Sequence, residues 1–195
     1  MEQLHIILQQ LTDELEPIRL LAQRFVGQDS GSDPISSAAL LSHRPKIAPL
    51  AYALTIYPGV DDHAIAEYED IHRIRICPTY RAVLRKMNGA SLFKVSLFGL
   101  PPSMTKRPPL LDRRTAWPLD ISIAQEHWSM KYKVPSDWFF IGYGPYSDWE
   151  HLGYFILPDD RIAAIREGGE RVGDWASIRG FLEKELTRAE AGYPK

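Results

Sequence analysis

Three apolar runs near the C-terminal end constrain the fold most. WFFIGYG (138–144), LGYFILP (152–158) and RIAAIRE (161–167) are rich in aromatic and branched residues. Only a few turn-type residues separate them, and PDDR joins the last two. A parallel crossover needs a dozen or more residues, so links this short force antiparallel pairing. Helical patterns surround these runs. The expected fold is therefore α+β, an antiparallel-dominated sheet packed against helices.

Leu4, Leu8, Leu11, Leu15, Ile18, Ala22 and Phe25 recur at spacings of three and four, the apolar stripe of an amphipathic helix. Pro17 interrupts it and predicts a kink or two helices. Gly27 is placed as its C-cap. ISSAALLSHR (36–44, with Ile35) is read as a short helix, and IAPLAYALTIYPG as a strand or irregular packing. Asp61 or Asp62 caps a helix to about residue 73, with Ile65, Tyr68 and Ile71 inward. Pro78 opens a helix with Tyr80, Val83, Leu84 and Met87 on one face, and Asn88-Gly89 ends it. Phe93, Val95 and Leu97 alternate with polar residues as a strand. Ile121, Ala124, Trp128 and Tyr132 have helical spacing. Asp174 is expected to cap a last helix whose Trp175, Ile178, Leu182 and Leu186 face inward. Residues 1–60 form an N-terminal helical extension packed on a main domain of residues 61–195.

Twenty-three basic and 25 acidic residues give a net charge of −2, which offers no global case for nucleic acid. No apolar run reaches the roughly 18 residues of a membrane span. The N-terminus lacks signal-peptide features, and the single Cys77 gives no disulfide framework. A cytoplasmic protein with a buried, inert thiol is expected.

The stretch IGYGPYSDWEHLGYF (141–155) concentrates the candidate chemistry. Gly142, Gly144 and Ser147 approach a dinucleotide loop, but that loop must open a helix whose amides hold the phosphate. Here strand follows, so a hairpin is favoured. GGERVG (168–173) lacks the Lys-Ser/Thr of a P-loop and is read as a turn before the last helix. Asp148, Glu150 and His151 could offer metal donors. The six histidines show no ligand spacing, and no metal or cofactor is expected. Asp148 with Glu150 or Asp174 could form a glycosidase-type pair, given a cleft between them. Lys106, Arg107, Arg113 and Arg114 form a basic loop for an acidic partner, or a solvated one. Tyr143, Tyr146, Asp148, Trp149 and Glu150 are the candidate protein-binding residues, since exposed Tyr and Trp anchor interfaces.

Three blocks resemble the SUKH superfamily, which includes bacterial immunity proteins and fungal cell-wall-synthesis regulators. They are residues 65–93 (with Glu69, Pro78, Tyr80, Leu84, Asn88 and Gly89 matching), 128–157 and 174–186. The chain departs from the family at Ser147-Asp148-Trp149, where Gly-Asp is common, and residues 1–60 have no counterpart. The resemblance implies a SUKH-like fold and a non-enzymatic protein-binding module, foremost an immunity protein that neutralises a cognate toxin domain. It implies no catalytic set; the balanced charge and the lack of a long apolar run lead us to expect no direct nucleic-acid or membrane contact. A regulatory or scaffold protein with an endogenous partner is the alternative. A hydrolase using Asp148 and Glu150 is the second.

Overall fold

The computed structural model describes residues 2–47, 51–102, 117–147 and 149–193. Among them, nine strands form one antiparallel sheet whose spatial order is the chain order: β1 (Gly31–Ser32), β2 (Ala39–His43), β3 (Tyr52–Pro58), β4 (Met87–Leu92), β5 (Val95–Leu97), β6 (Phe139–Pro145), β7 (His151–Ile156), β8 (Ile162–Arg166) and β9 (Arg171–Trp175). The fold is α+β, as the short links require. The sheet crosses residue 60 without a break, because β3 pairs with β4. Among the described residues, the first sixty thus supply helices α1 and α2 and strands β1 to β3 of the common sheet.

Directly paired residues share a face. One face carries Leu41, Leu54, Leu92, Val95, Leu152, Tyr154 and Ile156, all buried. Helices α1 (Glu2–Gln10), α2 (Glu16–Phe25) and α5 (Ile178–Ala191) cover it. Tyr154 meets Phe181 of α5 at 4.7 Å between ring centroids. The opposite face carries Phe140, Tyr143 and Phe155. A helical segment over residues 121–132 lies against it, with Tyr132 at 5.2 Å from Phe140 and 5.4 Å from Phe155. That segment passes from an α turn through a π-helical stretch to a 3-10 turn. Helices α3 (Asp62–His72) and α4 (Pro78–Lys86) close the end of the sheet where β3 stops and β4 starts. There the Val60 amide donates to the Leu84 carbonyl at 3.0 Å.

The helix expectations hold with local corrections. The N-terminal stripe is two helices, and Pro17 sits in the first turn of α2, where its missing N–H costs nothing. The break falls upstream, at the 3-10 turn Asp13–Leu15. The helix ends at Val26 in extended conformation, so Gly27 is not a left-handed cap. The expected short helix at ISSAALLSHR is strand β2. Leu40 and Leu41 point to opposite faces and both are buried, which erases the alternation that marks a strand. Asp61 caps α3 by accepting from the Ala64 amide at 2.8 Å. Ile71 is 62% exposed, outside the inward stripe. Asp174 lies in β9, and Ser177 caps α5 instead, accepting from the Gly180 amide. GGERVG is a tight turn at Gly168-Gly169 followed by β9. The Phe93–Leu97 run is a hairpin turn, with Phe93 at φ 57°, and then β5.

Several residues that carry the family resemblance hold this scaffold. Glu69 is buried and accepts from the Ile76 amide and Arg81. Burial raises its pKa, but those two partners outweigh it and leave the carboxyl below its usual range. Tyr80 donates to the Phe98 carbonyl at 2.6 Å. Asn88-Gly89 does not end α4, which runs straight into β4 at Met87. Instead the Asn88 amide donates to the Leu100 carbonyl at 3.0 Å and accepts from its N–H at 2.7 Å. Gly89 takes φ +84° at the bulge where the β3–β4 register shifts, a conformation that favours glycine.

Candidate functional site

Strands β6 and β7 form a hairpin whose pairing runs from Phe139 opposite Ile156 to Pro145 opposite His151. The glycines serve this geometry. A side chain at Gly144 would collide with the Tyr154 hydroxyl, and one at Gly142 with the Ser96 carbonyl of β5. Both positions admit only a hydrogen because other groups already occupy the space. Neither glycine opens a helix, so no phosphate cradle exists here.

At the tip, the Tyr146 amide donates to the Glu150 carbonyl at 2.8 Å, and the Ser147 amide to the same oxygen at 3.2 Å. Arg166, at the end of β8, holds both Glu150 carboxylate oxygens through two bonds of 2.9 Å. A third guanidinium nitrogen reaches Glu170 at 2.6 Å. The same guanidinium lies 4.5 Å from the Tyr146 ring centroid, a cation–π contact. Arg188 of α5 donates to the Pro145 carbonyl at 2.6 Å. The tip is thus fastened from two sides.

The five candidate residues therefore divide. Trp149 is 93% exposed and Tyr146 46% exposed, on one tip. Glu150 is bound by Arg166, which holds its carboxyl below the usual range; a general acid needs the opposite shift. Tyr143 is half-buried on the face covered by segment 121–132, in T-shaped contact with Trp128 at 6.4 Å and His151 at 5.6 Å. It does not belong to the tip. Asp148 lies outside the described residues, as do Lys106, Arg107, Arg113 and Arg114. Asp174 binds Arg161, just before β8, and Arg171 of β9, so it forms no carboxylate pair with Glu150. Among the described residues, no three His, Cys, Asp or Glu side chains are placed to hold a metal ion. Cys77 packs on the core, and burial pushes its thiol up to about 11, well away from a reactive thiolate. No described helix is long and apolar enough to cross a membrane.

Arg166 was not legible as a site residue. It closes a strand of apolar residues, and only the β7–β8 register, with Leu152 opposite Arg166, carries it to Glu150. In comparisons with known proteins, the chain matches no family model and shows no significant similarity to any curated protein.

Proposed function

We propose that this chain is a non-enzymatic protein-binding module of the SUKH type, acting in the cytoplasm as an immunity protein that occludes a cognate bacterial toxin domain. The observation that carries the reading is the bare Trp149 indole on a braced hairpin tip. An exposed Trp leaves a large apolar surface in water, and burying roughly 150–250 Å² of it against a partner supplies on the order of 4 kcal/mol. Bracing matters equally. Arg166 and Arg188 fix the strands beneath the tip before any partner arrives, which lowers the ordering cost of association. Tyr146 beside it supplies a second aromatic anchor with a polar end. The glutamate that sequence offered as an acid instead works as a brace, which supports recognition over catalysis.

The test is capture and rescue. The toxin domain encoded beside this gene is expected to co-purify with the protein, and co-expression is expected to restore growth. Trp149→Ala should weaken binding by about tenfold or more, the cost of a lost hot spot. A toxin domain that neither binds nor is neutralised refutes the reading.

A further inference from the structure

The middle of the sheet holds a short junction. Strands β5 and β6 share only two opposed pairs, Ser96 with Tyr143 and Leu97 with Gly142. The junctions beside it hold three pairs, between β4 and β5, and six, between β6 and β7. Past Leu97 one more backbone bond crosses, from the Phe98 amide to the Ile141 carbonyl at 3.0 Å. Beyond it the strands part. The Gly99 amide donates to the Leu119 carbonyl at 2.8 Å, and the Gly99 carbonyl accepts from the Ile121 amide at 3.1 Å.

Backbone groups left where strands part need other partners. Side chains supply them, and each comes from the same side of the junction as the group it serves. Asn88 of β4 holds both the N–H and the carbonyl of Leu100, on the β1–β5 side. Gln125 does the same for Phe140 of β6, donating to its carbonyl at 2.5 Å and accepting from its amide at 3.2 Å. Tyr80 of α4 donates to the Phe98 carbonyl at 2.6 Å and reaches across to the Ile141 carbonyl only at 3.2 Å. Separation at this junction therefore leaves Leu100, Phe140 and the Phe98 carbonyl paired. At an ordinary junction each stranded group costs about 1–3 kcal/mol.

Segment 121–132 is divided along the same line. Its start is tied to the β1–β5 side by the Gly99 bonds and by the Tyr68 hydroxyl, which donates to Asp120 at 2.5 Å. Its end is tied to the β6–β9 side by Tyr132 on Phe140 and Phe155. Between them lies the π-helical stretch Ala124–Trp128, where the regular helical ladder is interrupted. The other ties across the junction tolerate small movements. Phe98 packs on Phe140 at 4.9 Å and Tyr143 at 6.0 Å, contacts without a fixed direction. Arg24–Glu190 and Thr79–Asp160 are exposed pairs. Helix α5 stays with β7 through Glu185 and Tyr154, and its packing on α2 is the side-by-side contact along which helices shear.

We propose that the β5–β6 junction is a hinge. Strands β1–β5 with α1–α4, and strands β6–β9 with α5, flex as two bodies. The π-helical stretch absorbs the change, while Asn88 and Gln125 keep both edges paired as the junction opens. The hairpin tip moves with the second body, and the hinge does not depend on what the tip binds.

The experiment is native-state amide exchange of the full chain, followed by NMR at rising low concentrations of urea. The Phe98 amide is expected to be at least tenfold less protected than the amides of β3 and β7. Its protection should fall with urea, the mark of a collective opening rather than fraying. The Leu100 and Phe140 amides, on the same junction, should stay at least tenfold better protected than Phe98. Tyr80→Phe should lower Phe98 protection a further three- to tenfold relative to β3, the loss of one weak hydrogen bond, and leave the Leu100 and Phe140 ranking intact. Phe98 protection equal to that of β3 and β7 overturns the proposal. So does exchange of Leu100 and Phe140 at the Phe98 level, or an opening insensitive to urea.

Discussion

Two tyrosines on opposite faces of the same hairpin are treated in opposite ways. Tyr154 points toward α5, and its hydroxyl donates to Glu185 at 2.5 Å while Arg188 reaches both groups. Glu185 is only 5% exposed, so this is a buried charge whose partners are all present. Tyr132 packs on the other face, where its hydroxyl makes no hydrogen bond to a described residue and lines a pocket open to solvent with Trp128 and Tyr143. The first arrangement is closed and structural. It ties α5 to the hairpin and, through Arg188, steadies the Pro145 end of the tip. The second is open. A polar group paired inside the protein adds rigidity, whereas one that water can reach adds little.

Removing one member of the closed network should have the largest effect. Glu185→Ala strands the Tyr154 hydroxyl and the partly buried Arg188, and should cost about 3 kcal/mol in urea unfolding. Gly153→Ala should cost about 2 kcal/mol, because the new methyl displaces the Tyr132 ring or Phe155. The same variant should close the pocket. The paired deletion of hydroxyls is the sharper comparison. Tyr154→Phe should lose about 1–2 kcal/mol, while Tyr132→Phe should be neutral within about 0.5 kcal/mol, since no protein hydrogen bond is removed. Equal losses would erase the distinction between the faces.

The smallest effect is electrostatic. Arg166 lowers the folded-state pKa of Glu150 below its unfolded value of about 4.3. Its contribution is therefore present above that value and is lost as pH falls through the lower folded pKa. Melting temperatures of wild type and Glu150→Gln should differ most at neutral pH and converge in acid. Because the pair is solvent-accessible, the difference should also shrink at high salt.

What the sequence made legible follows from locality. Strands β6, β7 and β8 were readable because turn residues bound short apolar runs, and their pairing followed from link length. Capping by Asp61 and the opening proline of α4 were readable because each acts within a few residues. Strand β2 was not, since burial on both faces removes its period. The Asn88 bridge to Leu100 and the Arg166 clamp on Glu150 were hidden for another reason. Each joins residues whose proximity depends on sheet register, which no local pattern specifies. The tip itself was readable as a turn rich in aromatics. That Tyr143 leaves it for the covered face, while Tyr146 and Trp149 stay exposed, required the register as well. The pocket went unread because Tyr132 reaches β7 only through the vacancy at Gly153.

Hydrogen–deuterium exchange on the protein with and without the toxin domain encoded beside it tests the central claim most directly. Binding should protect the hairpin around Tyr146, Trp149 and Glu150, and Trp149→Ala should reduce that protection. Protection confined to the α2–α5 side of the molecule, with residues 146–151 exchanging as in the free protein, would contradict the account.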